Sequence, residues 1–370
     1  MGRDKRSTRD GARPGARLGL MLAGGGGITV ADMADLAVRA EEAGYDGVYL
    51  AEAWRSGFVT LAAMAQRTER ISLGPYVLNA HARTPMIAGM SAVDLDELSG
   101  GRLVLGVGSG NRVTNESYQG VPVVRPLRKM REYVELLRLV TSARRGEQVD
   151  YEGEIHRMSG WRCQVDPVRE AVPVVLAATS PRMTRLAAEV ADGIGLGSLQ
   201  SAEYVAGIAA ECRAQAVRPG FSVLMAALVA VDPDAERARE AARTAVVNLY
   251  AGKPHPHYDA LLRAQGYERV ADGVDGAVRR GDLEAARRAV TDEVVDRLTV
   301  AGTPEECARR LRAYAEAGVD EILLVNVGGM RYEAGAADRG ARDALLASYE
   351  PLLELAAAGA LSGGRGRTAR

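Results

Sequence analysis

The sequence predicts a (β/α)8 barrel, and three observations support that fold class. The chain of 370 residues contains eight short segments that are almost continuously apolar. A helical pattern follows each segment, and strands that are apolar on both faces are typical of parallel sheets covered by helices. Eight such units in roughly 330 residues match the size of this barrel. A doubly wound parallel sheet is the alternative that the same alternation leaves open.

The eight predicted strands are spaced so that a helix fits after each of them. They span Arg17–Leu22, Asp46–Ala51, Ile71–Leu78, Leu103–Gly108, Pro173–Thr179, Gly193–Ser198, Ser222–Val231 and Glu321–Val327. Between the fourth and fifth strands, an amphipathic helix at 127–143 precedes a small hairpin at 149–158.

Capping residues mark where several of the predicted helices begin and end. A threonine followed three residues later by an acidic residue forms a capping box, and a proline suits the first helical turn. These signals are Thr29 with Asp32, Thr84 with Pro85, Ser180 with Pro181, and Thr303 with Glu306. Gly44 and Gly318 then close two of the helices, because glycine readily adopts the left-handed conformation.

The polar segment 234–300 is too long for a single crossover, so it predicts a helical insertion before the last strand and helix. Both ends of the chain are basic and contain no apolar stretch. We therefore expect a disordered basic arm at 1–16, one barrel domain at 17–358 and a disordered tail at 359–370.

Composition excludes several classes of protein. The 47 basic and 48 acidic residues give a formal net charge of −1, so we expect no binding to nucleic acid or to an anionic membrane. No apolar run is long enough to span a bilayer, and the N-terminus lacks the apolar stretch of a signal peptide. Three distant cysteines without a C-x-x-C motif predict neither a disulfide framework nor a zinc knuckle. A cytoplasmic location is the resulting expectation.

Several catalytic constellations are missing from the sequence. The only lysines are Lys5, Lys129 and Lys253, and none lies at a strand end, which argues against a Schiff-base aldolase. A G-x-S-x-G nucleophile elbow is also absent. His255 and His257 form an H-x-H pair, but a metal would need a third ligand and the surrounding prolines favour an irregular loop. We therefore predict no metal site.

In a (β/α)8 barrel the active site lies at the C-terminal ends of the strands. Here those ends are rich in glycine and other small residues and poor in titrating groups, a composition that suits a planar cofactor. The candidate acids at these ends are Glu52, Tyr76, His81 and Tyr118. Glu52 could equally accept a hydrogen bond from a cofactor or pair with Arg55 or Arg83.

Two further motifs bear on phosphate binding. Gly106-x-Gly108-x-Gly110 resembles a dinucleotide loop, but its final spacing differs and no helix is predicted directly after it, so we reject that interpretation. Ser180–Pro181 places a helix N-terminus after a buried strand, with Arg182 in the first turn. This arrangement suits a phosphate and is explained equally well as plain capping.

Several longer stretches occur together and in order. They are GYDGVYLAEAW, TERISLGPYVLNAHARTPMIAG, LDELSGGRLVLGVGSGN, RPLRKMREYVELLR, PVVLAATSPRMTRLAAEVADGIGLGS and AGTPEECARRLRAYAEAGVDEILL. Across roughly residues 17–327, the chain resembles the bacterial-luciferase-like superfamily, in particular its deazaflavin (coenzyme F420)-dependent oxidoreductases. The resemblance implies a barrel with an insertion before the last strand, and F420, or FMN in sister groups, across the C-terminal mouth.

The resemblance also implies roles for individual residues. The bond between Tyr76 and Val77 matches a non-proline cis peptide that supports the cofactor ring from behind. Positions matching cofactor contacts are Asn79, Ser109 and Gly110, and the stretch matching a phosphate site is Ala177, Ala178, Thr179 and Ser180. With Tyr76, Val77 and the strand-end residues Gly108, Asn111, Gly195 and Gly197, these form the predicted cofactor-binding set.

The chain departs from parts of the family pattern. Many relatives end the second strand with Asp-His, but Glu52 and Ala53 stand here, so the histidine proton donor of those relatives is missing. A catalytic glutamate and a substrate-phosphate lysine of some sugar-phosphate relatives fall at Asn111 and Gln200. A sugar-phosphate dehydrogenase is therefore disfavoured.

The resulting hypothesis is an F420-dependent oxidoreductase that transfers hydride between the reduced cofactor and an activated C=C or C=N bond of a small organic or natural-product substrate. The alternatives are an FMN-dependent two-component monooxygenase on the same barrel and a non-redox lyase or isomerase. We expect a homodimer and, as a further partner, a separate reductase that regenerates the reduced cofactor. Aromatic residues predicted as walls of the site are Trp54, Phe58, Tyr76, Tyr118, Tyr250, Tyr258 and Tyr267.

Overall fold

The computed structural model describes residues 15–251, 256–328 and 339–361. Its strands are β1 (Arg17–Ala23), β2 (Gly47–Ala51), β3 (Ser72–Pro75), β4 (Leu78–Asn79), β5 (Leu105–Gly108), β6 (Gln148–Glu152), β7 (Arg157–Arg162), β8 (Val174–Ala177), β9 (Gly193–Leu196), β10 (Ser222–Val231), β11 (Val300–Gly302) and β12 (Glu321–Asn326). Its α-helices are α1 (Val30–Ala43), α2 (Gly57–Ala65), α3 (Pro85–Leu98), α4 (Pro126–Ser142), α5 (Pro181–Val190), α6 (Ala202–Gln215), α7 (Ala235–Ala251), α8 (Pro256–Ala264), α9 (Glu268–Arg279), α10 (Leu283–Ala289), α11 (Asp292–Leu298), α12 (Pro304–Glu316), α13 (Arg339–Ala347) and α14 (Glu350–Ala357).

The main sheet is a barrel of parallel strands in the order β3-β2-β1-β12-β10-β9-β8-β5-β4. Its two end strands, β3 and β4, are consecutive in the chain, and Leu73 forms a parallel bridge to Leu103 just before β5. The sheet is therefore almost closed on itself. This arrangement confirms the predicted (β/α)8 barrel and excludes the doubly wound sheet.

The third predicted strand is split into β3 and β4, and glycines allow the close approach of the strands at this point. A Cβ on Gly74 would lie 1.9 Å from the backbone oxygen of Val104. On Gly106 it would lie 2.3 Å from the backbone oxygen of Pro75. Gly106, the first glycine of the G-x-G-x-G stretch, is thus explained by strand packing.

The predicted helix caps are present. The capping boxes of α1 and α12 are complete, and Thr84 and Ser180 cap α3 and α5. Gly44 adopts the left-handed conformation at the end of α1, with φ of 91°. The antiparallel hairpin β6–β7 follows α4, as predicted, and extends to Arg162.

The insertion forms a second apolar cluster on the outside of the barrel. Helices α7 to α11 occupy 235–298, and buried residues such as Val246, Leu262 and Val274 pack together there with Leu228 of β10. Beyond α11, β11 adds to β10 as a parallel strand. At the other end of the chain, Ala360 is buried against the main core. The domain boundaries themselves stay a prediction, and residues 1–14 of the arm and 362–370 of the tail lie outside the described residues.

A buried charge lies at the N-terminal end of the barrel. Glu321 begins β12 and is fully buried, and the Arg17 guanidinium lies 2.7 Å from its carboxylate. Gly47 makes room for it, because a Cβ there would be 2.4 Å from the Glu321 carboxylate and 2.6 Å from the Tyr49 ring. Burial raises the pKa of Glu321, and Arg17 opposes that change.

Candidate active site

The C-terminal ends of β4, β5, β8 and β9 are neighbours in the barrel, so they bring the predicted cofactor-binding residues together. Asn79 pairs with Gly108, and Ala177 pairs with Gly195. A Cβ on Gly108 would lie 2.6 Å from Cγ2 of Val77 and 3.4 Å from Cβ of Ala177. Val77, Gly108 and Ala177 therefore form one contiguous platform of small side chains.

The peptide bond between Tyr76 and Val77 is cis, as the family resemblance implied. The Tyr76 ring lies inside the barrel, edge-on to Tyr49 at 6.2 Å between ring centres. Its hydroxyl donates to the backbone oxygen of Leu196 at 2.8 Å, and burial raises its pKa. A Cβ on Gly195 would lie 2.9 Å from that hydroxyl. The Tyr76 hydroxyl is thus bonded inside the barrel, and its role as an acid stays a prediction.

Glu52 forms an ion pair at the mouth. Its carboxylate lies 2.5 Å from Arg83, which settles the choice between Arg83 and Arg55. It also accepts a hydrogen bond from the backbone N–H of Gly57 at 2.9 Å. Arg83 in turn lies over the Phe58 ring, with 5.7 Å to its centre. Glu52 thus joins the loops after β2 and β4, and a role as proton donor would require it to leave this pair.

An amide network fixes the loop after β5. The Asn79 side chain donates to Asn115 at 2.6 Å and to Gln119 at 3.2 Å, and Asn115 donates to the backbone oxygen of Ser109 at 2.8 Å. Gly110 lies against the Asn79 amide and has φ of 60°, a conformation that favours glycine. Asn115 is completely buried and was not among the predicted residues.

A short π-helix carries this network, which corrects one sequence expectation. The segment Val113–Tyr118 is π-helical and begins three residues after Gly110, where no helix was expected. Such turns are common at functional sites. The dinucleotide-loop interpretation still fails, because the surrounding sheet is a barrel. Asn111 accepts a hydrogen bond from the backbone N–H of Thr114 at 2.7 Å, so it helps to start the turn.

His81 is buried behind the same loop, and its backbone N–H donates to the Asn79 side chain at 3.0 Å. Burial lowers the pKa of its imidazole, and the Lys129 ammonium lowers it further. Tyr133 of α4 and His156 of the hairpin belong to the same region, with ring centres 6.0 Å apart. His156 is half-buried, and its Nε2 atom is buried. The i, i+4 spacing of Lys129 and Tyr133 puts both on one face of α4, but no local pattern indicates that His81 and His156 lie beside that face.

The predicted phosphate residues lie at the start of α5. Ser180 caps this helix by accepting a hydrogen bond from the N–H of Met183 at 3.4 Å. Thr179, Ser180 and Arg182 are exposed, and Ala178 is buried. Nothing lies within 4 Å of a Cβ built on Gly197 at the end of β9. This side of the mouth therefore combines open space with the N–H groups of a helix terminus, which attract anions.

Apart from Phe58 under Arg83 and the buried Tyr76, the predicted aromatic walls fall into two groups. Trp54 and Tyr118 are both 71% exposed at the mouth, and a Cβ on Gly25 would lie 3.1 Å from the Trp54 ring. By contrast, the three tyrosines of the insertion, Tyr250, Tyr258 and Tyr267, pack against the insertion's own apolar cluster.

Two expected absences concern metals and membranes. Within 15–251, 256–328 and 339–361, no three His, Cys, Asp or Glu residues group as metal ligands would. His255 of the H-x-H pair lies outside this range. In the same part of the chain, no helix has the length and apolarity needed to cross a membrane.

Comparisons with known proteins agree with this geometry. Residues 12–321 match the luciferase-like monooxygenase family. The 5,10-methylenetetrahydromethanopterin reductase of Archaeoglobus fulgidus is 31% identical over 294 residues, covering 77% of this chain and 86% of that protein. A Mycobacterium tuberculosis protein described as a coenzyme F420-dependent oxidoreductase is 32% identical over 331 residues, covering 84% and 95%. The coenzyme F420-dependent tetrahydromethanopterin reductase of Methanopyrus kandleri shares the fold, with a TM-score of 0.74 at 22% identity over 91% of this chain and 98% of that one. The chain belongs to the luciferase-like monooxygenase family.

Proposed function

We propose that this protein is a coenzyme F420-dependent oxidoreductase that transfers hydride between the reduced cofactor and an activated C=C or C=N bond of a small organic substrate. The observation that carries the proposal is the platform of Val77, Gly108 and Ala177 beside the N-terminus of α5. A flat ring fits against such small side chains, and a phosphate fits the helix terminus. The relatives from A. fulgidus and M. tuberculosis, described as a reductase and an F420-dependent oxidoreductase, support the same chemistry.

The residues present match the parts of F420. The platform would carry the tricyclic ring, and the backbone of Ser109, Gly110 and Asn111 would meet its polar edge. Thr179, Ser180 and the first N–H groups of α5 would hold the phosphate, with Arg182 available for the acidic tail. When bound, reduced F420 supplies the hydride, and the protein supplies orientation and excludes water.

The remaining mouth residues have supporting roles in this proposal. Asn79 and Asn115 hold the loop that would face the ring. The pair of Glu52 and Arg83 fixes the neighbouring loops. Trp54 and Tyr118, exposed on the rim, would contact the substrate. His81 is one of the four predicted acids, and it is buried. Among the described residues, neither of its ring nitrogens has a hydrogen-bond partner.

Fluorescence titration tests the cofactor assignment. The chain has two tryptophans, Trp54 at the mouth and Trp161 on the hairpin. In a Trp161→Phe variant, Trp54 is the sole tryptophan reporter, so quenching by F420 would locate binding at the mouth. We expect F420 to quench Trp54 and to bind at least about tenfold more tightly than FMN, a difference of about 1.4 kcal/mol. Equal or tighter FMN binding would favour the two-component monooxygenase, and binding of neither would favour a non-redox lyase or isomerase.

Turnover tests the reaction. Reduced F420 is mixed with 5,10-methylenetetrahydromethanopterin, whose N–CH2–N bridge opens to a C=N iminium, and with conjugated C=C acceptors. Reoxidation of the cofactor is followed by absorbance. We expect reoxidation under anaerobic conditions, which an oxygen-dependent monooxygenase would not give.

The finer expectations belong to the same proposal. We propose a homodimer, one barrel domain at 17–358, a cytoplasmic location and a separate reductase that returns the cofactor to its reduced form. Light scattering of the purified protein measures its mass in solution. A mass equal to the 39.3 kDa of one chain would contradict the dimer.

A further inference from the structure

A cluster of buried and half-buried polar side chains lies between the loop after β4, helix α4 and the β6–β7 hairpin. It contains His81 from the loop, Lys129 and Tyr133 from α4, and His156 from the hairpin. His81 is 6% exposed and Tyr133 is not exposed at all. The rings of Tyr133 and His156 meet edge to face at 6.0 Å between centres. Three separate parts of the chain thus contribute to one buried polar region beside the mouth.

Several hydrogen-bonding atoms of this cluster are buried and lack a partner among the described residues. Considering only the residues that the structure describes, neither ring nitrogen of His81 has a hydrogen-bond partner, nor does the Tyr133 hydroxyl or Nε2 of His156. The Ser109 carbonyl, a nearby acceptor, partly offsets the lowering of the His81 pKa, although the two groups are not within hydrogen-bond geometry. Buried polar atoms in proteins nearly always have partners, and a group of them is the usual setting for ordered water.

Burial and the Lys129 ammonium favour the neutral form of both imidazoles. Burial is the main cause of the lowered pKa of His81 and His156, and the Lys129 ammonium adds to it. The Glu132 carboxylate opposes the lowering of the His156 pKa without reversing it. Glu132 accepts from the backbone N–H groups of Glu154, Ile155 and His156, and Glu52 pairs with Arg83. A neutral imidazole carries one N–H donor and one acceptor nitrogen.

We propose that His81 is a proton-relay residue, connected to the hairpin by ordered water that is bound between His81, Tyr133 and His156. A relay imidazole must give a proton from one ring nitrogen and take one at the other, so both nitrogens must be free of fixed protein partners. In the described part of the chain, neither ring nitrogen of His81 has a protein partner within hydrogen-bond geometry, and the Ser109 carbonyl beside the ring belongs to a predicted cofactor contact.

The inference rests on the proposed function, which needs a proton for each hydride. The hydride adds to one atom of the substrate's C=C or C=N bond, and the π-electron pair moves to the other atom. In a C=C or neutral C=N acceptor, that atom takes a proton from one ring nitrogen of His81. In 5,10-methylenetetrahydromethanopterin, the proton goes instead to the nitrogen that is released when the N–CH2–N bridge opens to the iminium. The other ring nitrogen takes a proton from the bound water, which solvent restores by way of Tyr133 and His156.

The first experiment needs neither cofactor nor substrate. The chain has four histidines, so NMR with 15N-labelled histidine can resolve the His81 ring. At pH 7 we expect a neutral His81 whose ring 15N shifts change in Tyr133→Phe. Tyr151→Phe is the matched control, because the Tyr151 hydroxyl donates to Glu135 instead, at 2.7 Å. A charged His81, or shifts that do not respond to Tyr133→Phe, would overturn the relay.

The second experiment uses the complete enzyme with reduced F420 and 5,10-methylenetetrahydromethanopterin. We expect His81→Gln to lower kcat at least tenfold with unchanged F420 affinity, and Tyr133→Phe to increase the solvent deuterium isotope effect on kcat. A purely structural role would leave that isotope effect unchanged, and this result would overturn the inference. Failure of the wild-type chain to bind F420 would instead overturn the proposed function, and the titration shows this before any variant is compared.

Discussion

The two ends of the barrel hold different kinds of buried polar group. At the N-terminal end, the carboxylate of Glu321 meets the guanidinium of Arg17 at 2.7 Å, and Tyr49 adjoins the pair. At the C-terminal end, the described residues leave His81 and Tyr133 without hydrogen-bond partners, and Trp54 is largely exposed. The described residues leave polar atoms without hydrogen-bond partners at both ends, Tyr49 and Glu321 included, so what distinguishes the N-terminal end is its buried counter-charge. In barrels of this class the N-terminal face serves stability and the C-terminal face carries the active site.

The largest expected effect on stability comes from breaking the Arg17–Glu321 pair at the N-terminal end. Arg17→Ala leaves the Glu321 carboxylate buried without its counter-charge. We expect a loss of about 3 kcal/mol in the free energy of unfolding at pH 7, at the low end for a broken buried pair because Arg17 is partly solvated. Urea denaturation measures the loss, with Arg70→Ala as a control, since Arg70 is exposed and lies 3.9 Å from Glu41. F420 affinity should not change.

The same variant has a predictable pH dependence. Burial raises the pKa of Glu321 in the folded state, and removal of Arg17 raises it further. A raised carboxyl pKa means that the folded state binds the proton more tightly than the unfolded state. Its stabilising effect is complete below the unfolded pKa and is lost as pH rises through the folded pKa. The stability deficit of Arg17→Ala should therefore be smaller at pH 5 than at pH 7, and an equal deficit at both would contradict this explanation.

A second test alters the shape of the platform formed by Val77, Gly108 and Ala177 at the C-terminal end. Gly108→Ala places a Cβ 2.6 Å from Cγ2 of Val77, so the platform must deform. We expect F420 affinity to fall at least about tenfold, or about 1.4 kcal/mol. Gly207→Ala is the control, because nothing lies within 4 Å of a Cβ on Gly207 in α6. Unchanged affinity in Gly108→Ala would place the cofactor elsewhere.

A third test asks whether Glu52 belongs to the framework or to the chemistry. A double-mutant cycle of Glu52→Gln and Arg83→Gln should give a coupling of about 1 kcal/mol, since the pair is partly buried and a hydrogen bond remains possible in each variant. We expect the Glu52→Gln enzyme to keep most of its kcat. A loss of a hundredfold or more would establish Glu52 as the proton donor that the sequence suggested.

The smallest effects concern the exposed rim. Trp54→Ala and Tyr118→Ala should change unfolding free energy by no more than about 0.5 kcal/mol, because both side chains are 71% exposed. If these rings contact the substrate, KM should rise several-fold while F420 affinity stays constant. Val217→Ala, at a position that is 73% exposed, is the control for a simple loss of surface area. An unchanged KM would remove both rings from the substrate site.

The sequence predicted the barrel because its signals are local. Apolar strands and capping boxes such as Thr29 with Asp32 depend on neighbouring residues, and the structure confirms them. The cis bond before Val77 was predicted from the family resemblance, and the structure contains it. The Glu321–Arg17 pair could not be found this way, because it joins residues about 300 positions apart across two neighbouring strands. The grouping of His81 with Tyr133 and His156 likewise depends on how α4 and the hairpin pack.

The contact between Glu132 of α4 and the turn of the β6–β7 hairpin has a consequence for protein engineering. Glu132 accepts three backbone hydrogen bonds from the turn at 154–156, so one carboxylate on α4 sets where His156 stands. A hairpin exchanged between family members would therefore depend on the residue that stands at position 132 of α4. Chimaeras that transplant residues 148–162 without a matching acid on the helix should fold with a displaced turn, whereas grafts that include both segments should keep it. Recombination boundaries in this family are thus best drawn before α4 and after β7.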